Sequence, residues 1–550
     1  SGFGLTIPWI LKEAIDRLKE RPPGTTLLLF AAALIMFTLL QGFFRFIARM
    51  VIVGISRRLE YDLRNQLFRK WLHLDSSFYD RVPSGDLMAR ATQDMSHLRM
   101  LLGPGPLHLS STIIVGTSAA ILMASINPWL TLYALAPFPV LLWVLTMLRH
   151  RMQAGMHRVQ ARYQEICGQV HEAVAGMRLI KTYTLGESMV AAFRDKGEEY
   201  VTEEMRVVRL EGIYHPLTSL AGGIGVVLAL AIGGQQVASG QMTLGELVAF
   251  NGYLGMLLWP TIALAWVLSL WQRGKVAFDR IADTLAEEPA IQEHSQPIHP
   301  TAIRGGIEAR DLTFRYGNGS GPPALTDLSL SIPAGTFVAL VGPSGGGKST
   351  FLSLLPRLRN VPEGHLSLDG TDLTRVPLTF LRQSIGYVPQ EGFLLSDTLR
   401  NNIAFGLEDP DETGIQRSLF LASLEEDVRA LPEGLETVVG ERGVTLSGGQ
   451  RQRVTIARAV ALDPRILILD DALSSVDAET ERAILDRLRT YFRGRTILVS
   501  THRLTSIDRA DLILVLENGR LVEQGSHGVL LNQGGLYARL WDRSRHLVEL

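Results

Sequence analysis

Five runs of the first half of the chain carry no Asp, Glu, Lys or Arg and are each long enough to cross a bilayer. They are Thr25–Phe44, Leu107–Ile126, Pro128–Leu148, Pro216–Gly240 and Leu247–Trp271. A spanning helix needs about 20 apolar residues, and five such runs in one half-chain do not fit a soluble helical core. The opening Ser1–Ile10 is apolar but about half that length. It is expected to be the remnant of a first span, truncated at its start, which brings the count to six. The long connections Arg45–Pro106 and Arg149–His215 are rich in Arg, whereas Asn127 and Gln241–Glu246 carry no Lys or Arg. Arg-rich connections stay in the cytosol, so the C-terminal half is expected there too. The segment Leu11–Gly24 is a mild exception, with Lys12, Arg17, Lys19 and Arg21 beside Glu13, Asp16 and Glu20.

Neither long connection (45–106 and 149–215) reads as disordered. Each is helix-forming and broken once, the first at Arg81–Gly85, a turn signal. Spanning helices are therefore expected to continue into the cytosol, turn near Ser77–Asp86 and Glu172–Lys181, and return. Those tips are natural docking points for a cytosolic domain. Thr38, Gln41, Arg45 and Arg49 recur at spacings of three or four and share one helix face. They read either as snorkelling interfacial residues or as the polar lining of a cavity. Pro137, Pro139 and Pro260 are expected to kink the fourth and sixth spans. Cys167 is the lone cysteine, which excludes an internal disulfide and suits a small buried or lipid-facing residue. No secretory signal opens the chain. With 54 basic and 55 acidic residues, charge gives no pointer to nucleic acid.

The sequence changes character after residue 285. Residues 286–305 form a linker containing Pro289, Pro297 and Pro300, and residues 306–550 form a second domain. Within it Phe337–Val341 is a β-type run. The loop Gly342-Pro343-Ser344-Gly345-Gly346-Gly347-Lys348-Ser349-Thr350 follows, and a helix-forming stretch comes next. This is G-x-x-x-x-G-K-[ST] in strand–loop–helix context, a cradle of backbone N–H groups for phosphates. Lys348 would reach the β/γ-phosphates and Ser349 would ligate Mg²⁺. A second β-type run, Arg465–Leu469, ends in Asp470-Asp471. A carboxylate at such a strand end holds the Mg²⁺ shell, a role that falls to Asp470. The expected fold is thus an α-helical six-span membrane domain with long cytosolic helical extensions, residues 1–285, followed by an α/β P-loop nucleotide-binding domain.

Between these motifs lies Leu446-Ser447-Gly448-Gly449-Gln450. With it, the whole chain resembles an exporter-type half-transporter of the ATP-binding cassette (ABC) family. The resemblance implies two cassettes that sandwich two ATP molecules head to tail. Ser447, Gly448, Gly449 and Gln450 would then bind the γ-phosphate of the nucleotide held by the other cassette. Tyr316 resembles the aromatic that stacks on adenine. Gln390 resembles the glutamine that contacts Mg²⁺ and water, and Glu441–Gly443 a stretch near the coupling helices. Ser474–Asp477 resembles the loop across the dimer interface, with Asp477 counted among the nucleotide-binding residues. His502 resembles the switch histidine on the γ-phosphate. Ser77–Asp94 resembles the first coupling helix of exporters.

Asp471 departs from the family, which has Glu there to polarise the attacking water. One methylene less holds the carboxylate back from that water, and a well-placed base contributes about 10²–10⁴-fold. The substitution is similar to that of heterodimers with one degenerate and one active site. The implied function is ATP-driven export of a hydrophobic or amphipathic substrate, with a second half-transporter and membrane lipid as partners and no nucleic acid. A heterodimer is favoured and a homodimer is the alternative. A homodimeric lipid or peptide exporter and a non-transporting ATP-gated regulator are the other readings. The expected setting is a bacterial inner membrane, with the cassette in the cytosol.

Overall fold

The computed structural model describes residues 2–20, 23–317, 321–440 and 446–546. It divides into two compact units. The first comprises residues 1–69 and 85–286, the second residues 70–84 and 287–550.

The first unit is all helical. Its long helices are Gly24–His73, Pro104–Ile126, Pro137–Ala175, Gly186–Ala238 and Leu244–Ala286, preceded by Gly2–Leu18. Among the described residues, three helical stretches are long and apolar enough to cross a membrane: Gly24–His73, Ser84–Ile126 and Pro128–Ala175. The core is built from Met123, Leu130, Phe250, Tyr253 and Leu254, all essentially sealed from solvent. The buried Tyr253 hydroxyl donates to the Leu5 carbonyl at 2.9 Å, so the tyrosine is packed without an orphan donor. Asn127 caps the helix that starts at Pro128, accepting from Leu130 N at 3.0 Å, and its amide donates to Gln236 at 2.8 Å.

The charged exception between residues 11 and 24 has a physical account. Lys12 pairs with Glu246 at 3.2 Å and Arg17 with Glu13 at 2.9 Å. Asp16 accepts from the Thr243 hydroxyl and the Gly245 N–H, at 2.8 and 2.9 Å. Two of the four basic residues of this segment are thus paired with carboxylates.

Three expectations are corrected. Each long connection is broken more than once, because a short helix sits between two stops. In the first, Ser76–Arg81 follows a break at Leu74-Asp75 and precedes one at Val82-Pro83, and a π-helical stretch, Arg90–Asp94, comes after. Asp75 starts the short helix by accepting from Ser77 N, and its carboxyl is held below the usual range. Burial opposes that shift, but four hydrogen bonds to the carboxylate outweigh it. In the second, Met177–Thr182 lies between Gly176 and the left-handed Thr184 (φ 53°). Cys167, read as either buried or lipid-facing, is exposed, which removes the buried alternative: it lies on the helix Pro137–Ala175 in a largely exposed stretch. The proline expectation divides: the fourth run is interrupted at Ala136-Pro137, while the helix Leu244–Ala286 is continuous through position 260.

In the second unit a six-stranded sheet runs in the order Arg520–Gly525, Leu512–Glu517, Phe337–Val341, Thr496–Ser500, Ile466–Asp470, Ile385–Val388. All neighbours are parallel except the outermost pair, Leu512–Glu517 with Arg520–Gly525. The strands Phe337–Val341, Ile466–Asp470 and Thr496–Ser500 are buried along their whole length, as continuous apolar runs in parallel sheets require. A four-stranded antiparallel sheet, led by Pro323–Ile332 and Ile307–Arg315, packs beside it.

The stretch 70–84 belongs to this unit. Phe78 is buried, the Ser76 hydroxyl donates to the Leu358 carbonyl, and Ala290 N donates to Asp75 at 2.9 Å. Arg359 pairs with Asp80, and Arg81 pairs with Glu287 at 2.6 Å.

Candidate nucleotide site

In an open parallel sheet, ligands bind beyond the carboxyl ends of the strands. The register brings the relevant ends together: Val388 lies beside Leu469, Asp470 beside Ser500, and Ser500 beside Leu340. Gly342, Gln390, Asp471 and His502 each lie one or two residues past those ends. They therefore share one edge of the sheet.

The loop after Phe337–Val341 can only be built with glycine at two points. At Gly342 (φ 144°) a Cβ would stand 2.0 Å from the Leu516 carbonyl oxygen. At Gly347 (φ 98°) it would stand 2.8 Å from the Leu325 side chain. The loop is thereby pressed against the strand Leu512–Glu517, with Ser344 and Gly345 exposed and Gly346 closely packed on Leu516. Lys348 is buried and its ammonium folds back onto the carbonyls of Gly342 and Pro343, at 2.8 and 3.0 Å. Burial holds its pKa below the ordinary lysine value, against the pull of Asp471 and Asp470.

Ser349 donates to Asp470 Oδ1 at 2.8 Å, and the Tyr387 hydroxyl approaches Oδ2 at 3.4 Å. Burial raises the Asp470 carboxyl, and the neighbouring Asp471 adds to the effect. Burial also raises the Tyr387 phenol. Asp471 sits on left-handed backbone (φ 47°), fixed by its N–H donating to the Ser500 carbonyl at 3.0 Å. Its carboxyl is raised by burial and drawn back by His502, Lys348 and Arg503. The Gln390 amide nitrogen is 3.5 Å from Asp471 Oδ2.

Tyr316 closes the same group. It is 44% exposed and packs edge-on with Phe314, centroids 5.2 Å apart. Its hydroxyl is 2.9 Å from that of Thr350, and the Arg359 guanidinium lies over the ring at 5.1 Å from the centroid. Tyr387, Arg359 and the Thr350–Tyr316 contact were missed by sequence reasoning. Tyr387 lies three residues before Gln390, but nothing local marks its reach to Asp470.

Ser447–Gln450 belongs to a second cluster. Ser447 caps the helix Gly448–Ala461 and forms a reciprocal capping box with Gln450. Gly449 packs on Ser475, whose carbonyl a Cβ would meet at 2.8 Å. Gln452 bridges Ser474 and Ser475 N, at 3.0 and 2.8 Å. Asp477 caps the helix Ala478–Tyr491 through Thr480 N at 2.8 Å, so its carboxylate is already engaged. Among the described residues no hydrogen bond or ion pair joins this cluster to the loop 342–350. Glu441–Gly443 lies outside the described residues. In the first unit, Gln41, Arg45 and Arg49 line a cavity, while Thr38 bonds back to the Leu34 carbonyl of its own helix at 2.7 Å.

The donor set fits a metal carried in by a nucleotide. Mg²⁺ keeps several waters and takes one or two protein ligands beside substrate phosphates. Ser349 and Asp470, already 2.8 Å apart, supply that number. No cluster of three or more His, Cys, Asp or Glu exists among the described residues to offer an all-protein cage.

Residues 1–261 match the ABC transporter transmembrane region, and residues 325–474 match the ABC transporter family. The chain is 35% identical over 539 residues to the multidrug resistance-like ATP-binding protein MdlA of Escherichia coli K12, covering 98% of this chain and 91% of that protein. It is 34% identical over 540 residues to the probable multidrug resistance ABC transporter ATP-binding/permease protein YheI of Bacillus subtilis 168, covering 98% and 92%. An ATP-dependent lipid A-core flippase of Burkholderia thailandensis is 34% identical over 97% of the chain and 89% of its own length. A solved bacterial Atm1-family ABC exporter with ATP bound superposes with a TM-score of 0.79 at 26% identity, covering 98% of this chain and 96% of that one. The chain belongs to the ABC transporters, as an exporter-type half-transporter in which a membrane domain is fused to an ATP-binding cassette whose ATP hydrolysis is coupled to transport.

Proposed function

We propose that the chain is a six-span subunit of a dimeric exporter in a bacterial inner membrane, moving a hydrophobic or amphipathic substrate. Its relatives named for multidrug resistance and for lipid A-core flipping support that substrate range. In this reading Tyr316 stacks on adenine, and the loop 342–350 and Lys348 hold the phosphates. Ser349, Asp470 and Gln390 hold Mg²⁺, which when bound neutralises charge on the phosphates. His502 contacts the γ-phosphate, and Ser447–Gln450 reaches the nucleotide of the second subunit.

The observation that carries the finer assignment is Asp471. Its short carboxylate is tied to buried, left-handed backbone beside Ser500, so little backbone shift is available to lengthen its reach. We infer a slow site in this chain and a faster composite site built from this chain's Ser447–Gln450 and a partner's phosphate loop. A homodimeric exporter whose Asp471 sites still turn over is the second reading, favoured by the retained approach of Gln390 to Asp471. The test is phosphate release by purified chain in liposomes, alone and after mixing with a candidate partner subunit. Slow turnover alone with restoration by the partner supports the heterodimer. Brisk turnover alone that Asp471→Ala abolishes sinks it.

A further inference from the structure

The first unit contains a cavity of about 1110 Å³ between the helices Gly2–Leu18, Gly24–His73, Pro104–Ile126 and Leu244–Ala286. Three basic side chains, Arg45, Arg49 and His108, line it together with Gln41, and among the described residues no Asp or Glu does. Gln41, Arg45 and Arg49 follow one another at intervals of four, so one helix face points its polar groups into this space. His108 comes from a different helix, Pro104–Ile126. The imidazole is oriented by edge-on packing against Trp266, with centroids 5.1 Å apart and planes at 86°. The remaining wall includes Phe44, Leu107 and Met256.

Arginine pairing further along the same helix sharpens the contrast. Arg57 and Arg64 share Glu60 at 3.0 and 2.9 Å, and Arg99 reaches the same carboxylate at 3.2 Å. Arg45 and Arg49 have no carboxylate partner among the described residues. Arg45 and Arg49 follow directly on the run Thr25–Phe44, so they carry their charge at its inner end, facing the cavity. Two unpaired guanidiniums over an apolar floor leave one missing element, an anion with a hydrophobic body. Guanidinium forks match the oxygens of phosphate, sulfate or carboxylate in pairs.

We propose that this cavity is a binding site for an amphipathic anion, its headgroup held by Arg45, Arg49 and His108 and its apolar body laid against Phe44, Leu107 and Met256. The proposal rests on the exporter reading for its transport role, but not for binding itself. The ligand is either a soluble single-chain amphiphile or an anionic lipid entering from the bilayer, since both present the same headgroup chemistry.

The test uses the full chain in phosphatidylcholine nanodiscs, with dodecyl phosphate and dodecyltrimethylammonium bearing the same fluorophore. The phosphate is expected to bind about tenfold tighter or more, the scale of charged hydrogen bonds. That preference should shrink as salt rises from about 50 to about 500 mM. Arg45→Gln with Arg49→Gln should erase it, and Arg45→Lys with Arg49→Lys should keep most of it. Equal affinity for the two probes, or a preference untouched by the glutamine pair, overturns the site. Where the glutamine variant fails to fold, the salt series on the unaltered chain decides, and a salt-independent preference overturns the proposal. Nanodiscs doped with phosphatidylglycerol identify the source: competition marks a bilayer lipid, its absence a soluble amphiphile, and either result supports an anion site. ATP-driven uptake into inside-out vesicles scores the export reading separately. Anion preference without uptake sinks export and leaves the site standing, and uptake of a cationic dye without anion preference does the reverse.

Discussion

The side-chain nitrogen of Gln390 stands 3.5 Å from the carboxylate of Asp471, the outer limit of a hydrogen bond. An added methylene would carry that carboxylate further beyond the strand end. Asp471→Glu is therefore expected to speed phosphate release by the chain alone by about 100-fold, the lower end of what a positioned base supplies. Asp471→Asn should stay at or below the parent. Steady-state release in liposomes checks this, and a glutamate variant no faster than the parent refutes the slow-site assignment.

Tyr316 is 44% exposed while its hydroxyl is anchored 2.9 Å from that of Thr350. Base–aromatic stacking contributes about 1–3 kcal/mol. Tyr316→Ala should weaken ATP binding by roughly 5–100-fold, and Tyr316→Trp should largely preserve it. Equilibrium titration with a fluorescent ATP analogue is the readout, and unchanged affinity in the alanine variant rules out the stacking role.

Arg359 has two attachments, Asp80 and the face of Tyr316. Arg359→Met should raise the ATP dissociation constant by about 2–5-fold through loss of a half-exposed cation–π contact. Asp80→Asn should leave that constant unchanged while loosening the helix Ser76–Arg81. Nucleotide titration combined with proteolysis near residue 80 separates the two effects. Identical responses in both variants would show that Arg359 acts only through Asp80.

Burial raises the carboxyl groups of Asp470 and Asp471 above the ordinary value of 3.8. A raised folded-state pKa means the native form holds its proton more tightly than the unfolded chain. The nucleotide-free protein should lose stability as pH rises from near 3.8 through the raised values, and that penalty vanishes below 3.8. Asp471→Asn should therefore melt higher than the parent at neutral pH, with the gap closing toward acid. Thermal scans without nucleotide across that range test it, and a pH-independent gap contradicts the linkage.

Glu481 is 1% exposed and accepts from Ser506 at 2.6 Å and Arg503 at 3.0 Å. Arg503 also donates to the carbonyls of Val476 and Ser474. Glu481→Ala leaves Arg503 without its carboxylate, but Arg503 is 40% exposed and keeps both carbonyls, so the cost should be about 1–3 kcal/mol, with Glu481→Gln losing less. Denaturant unfolding reports the difference, and a cost under about 1 kcal/mol would show the network to be dispensable.

What could be read from the sequence was whatever is local. Phosphate loop, strand-end Asp470 and capped Ser447 each carry their meaning within a few neighbouring residues. Hydropathy likewise marked the long helices. Pairings across the chain left no such trace: Asp80 and Arg359 are 279 positions apart, and nothing near either residue predicts the other. Tyr387 was hidden for the opposite reason, since its strand position reads as ordinary core until the parallel register sets it beside Ile468, two residues before Asp470. The cavity needed His108 from a different helix to turn a stripe into an enclosure.

The stretch 70–84 also imposes an order of events during synthesis. Ser76 leaves the ribosome 282 residues before Leu358, the residue whose carbonyl it meets. At about 5–20 residues per second, that interval is roughly 15–60 s. Throughout it Phe78 has no cassette surface to bury against, and it must wait at the tip of a helix whose apolar span is already made. The membrane half therefore cannot finish maturing by itself, and a chain arrested anywhere before the phosphate loop would display that unsatisfied tip to the cell's quality control.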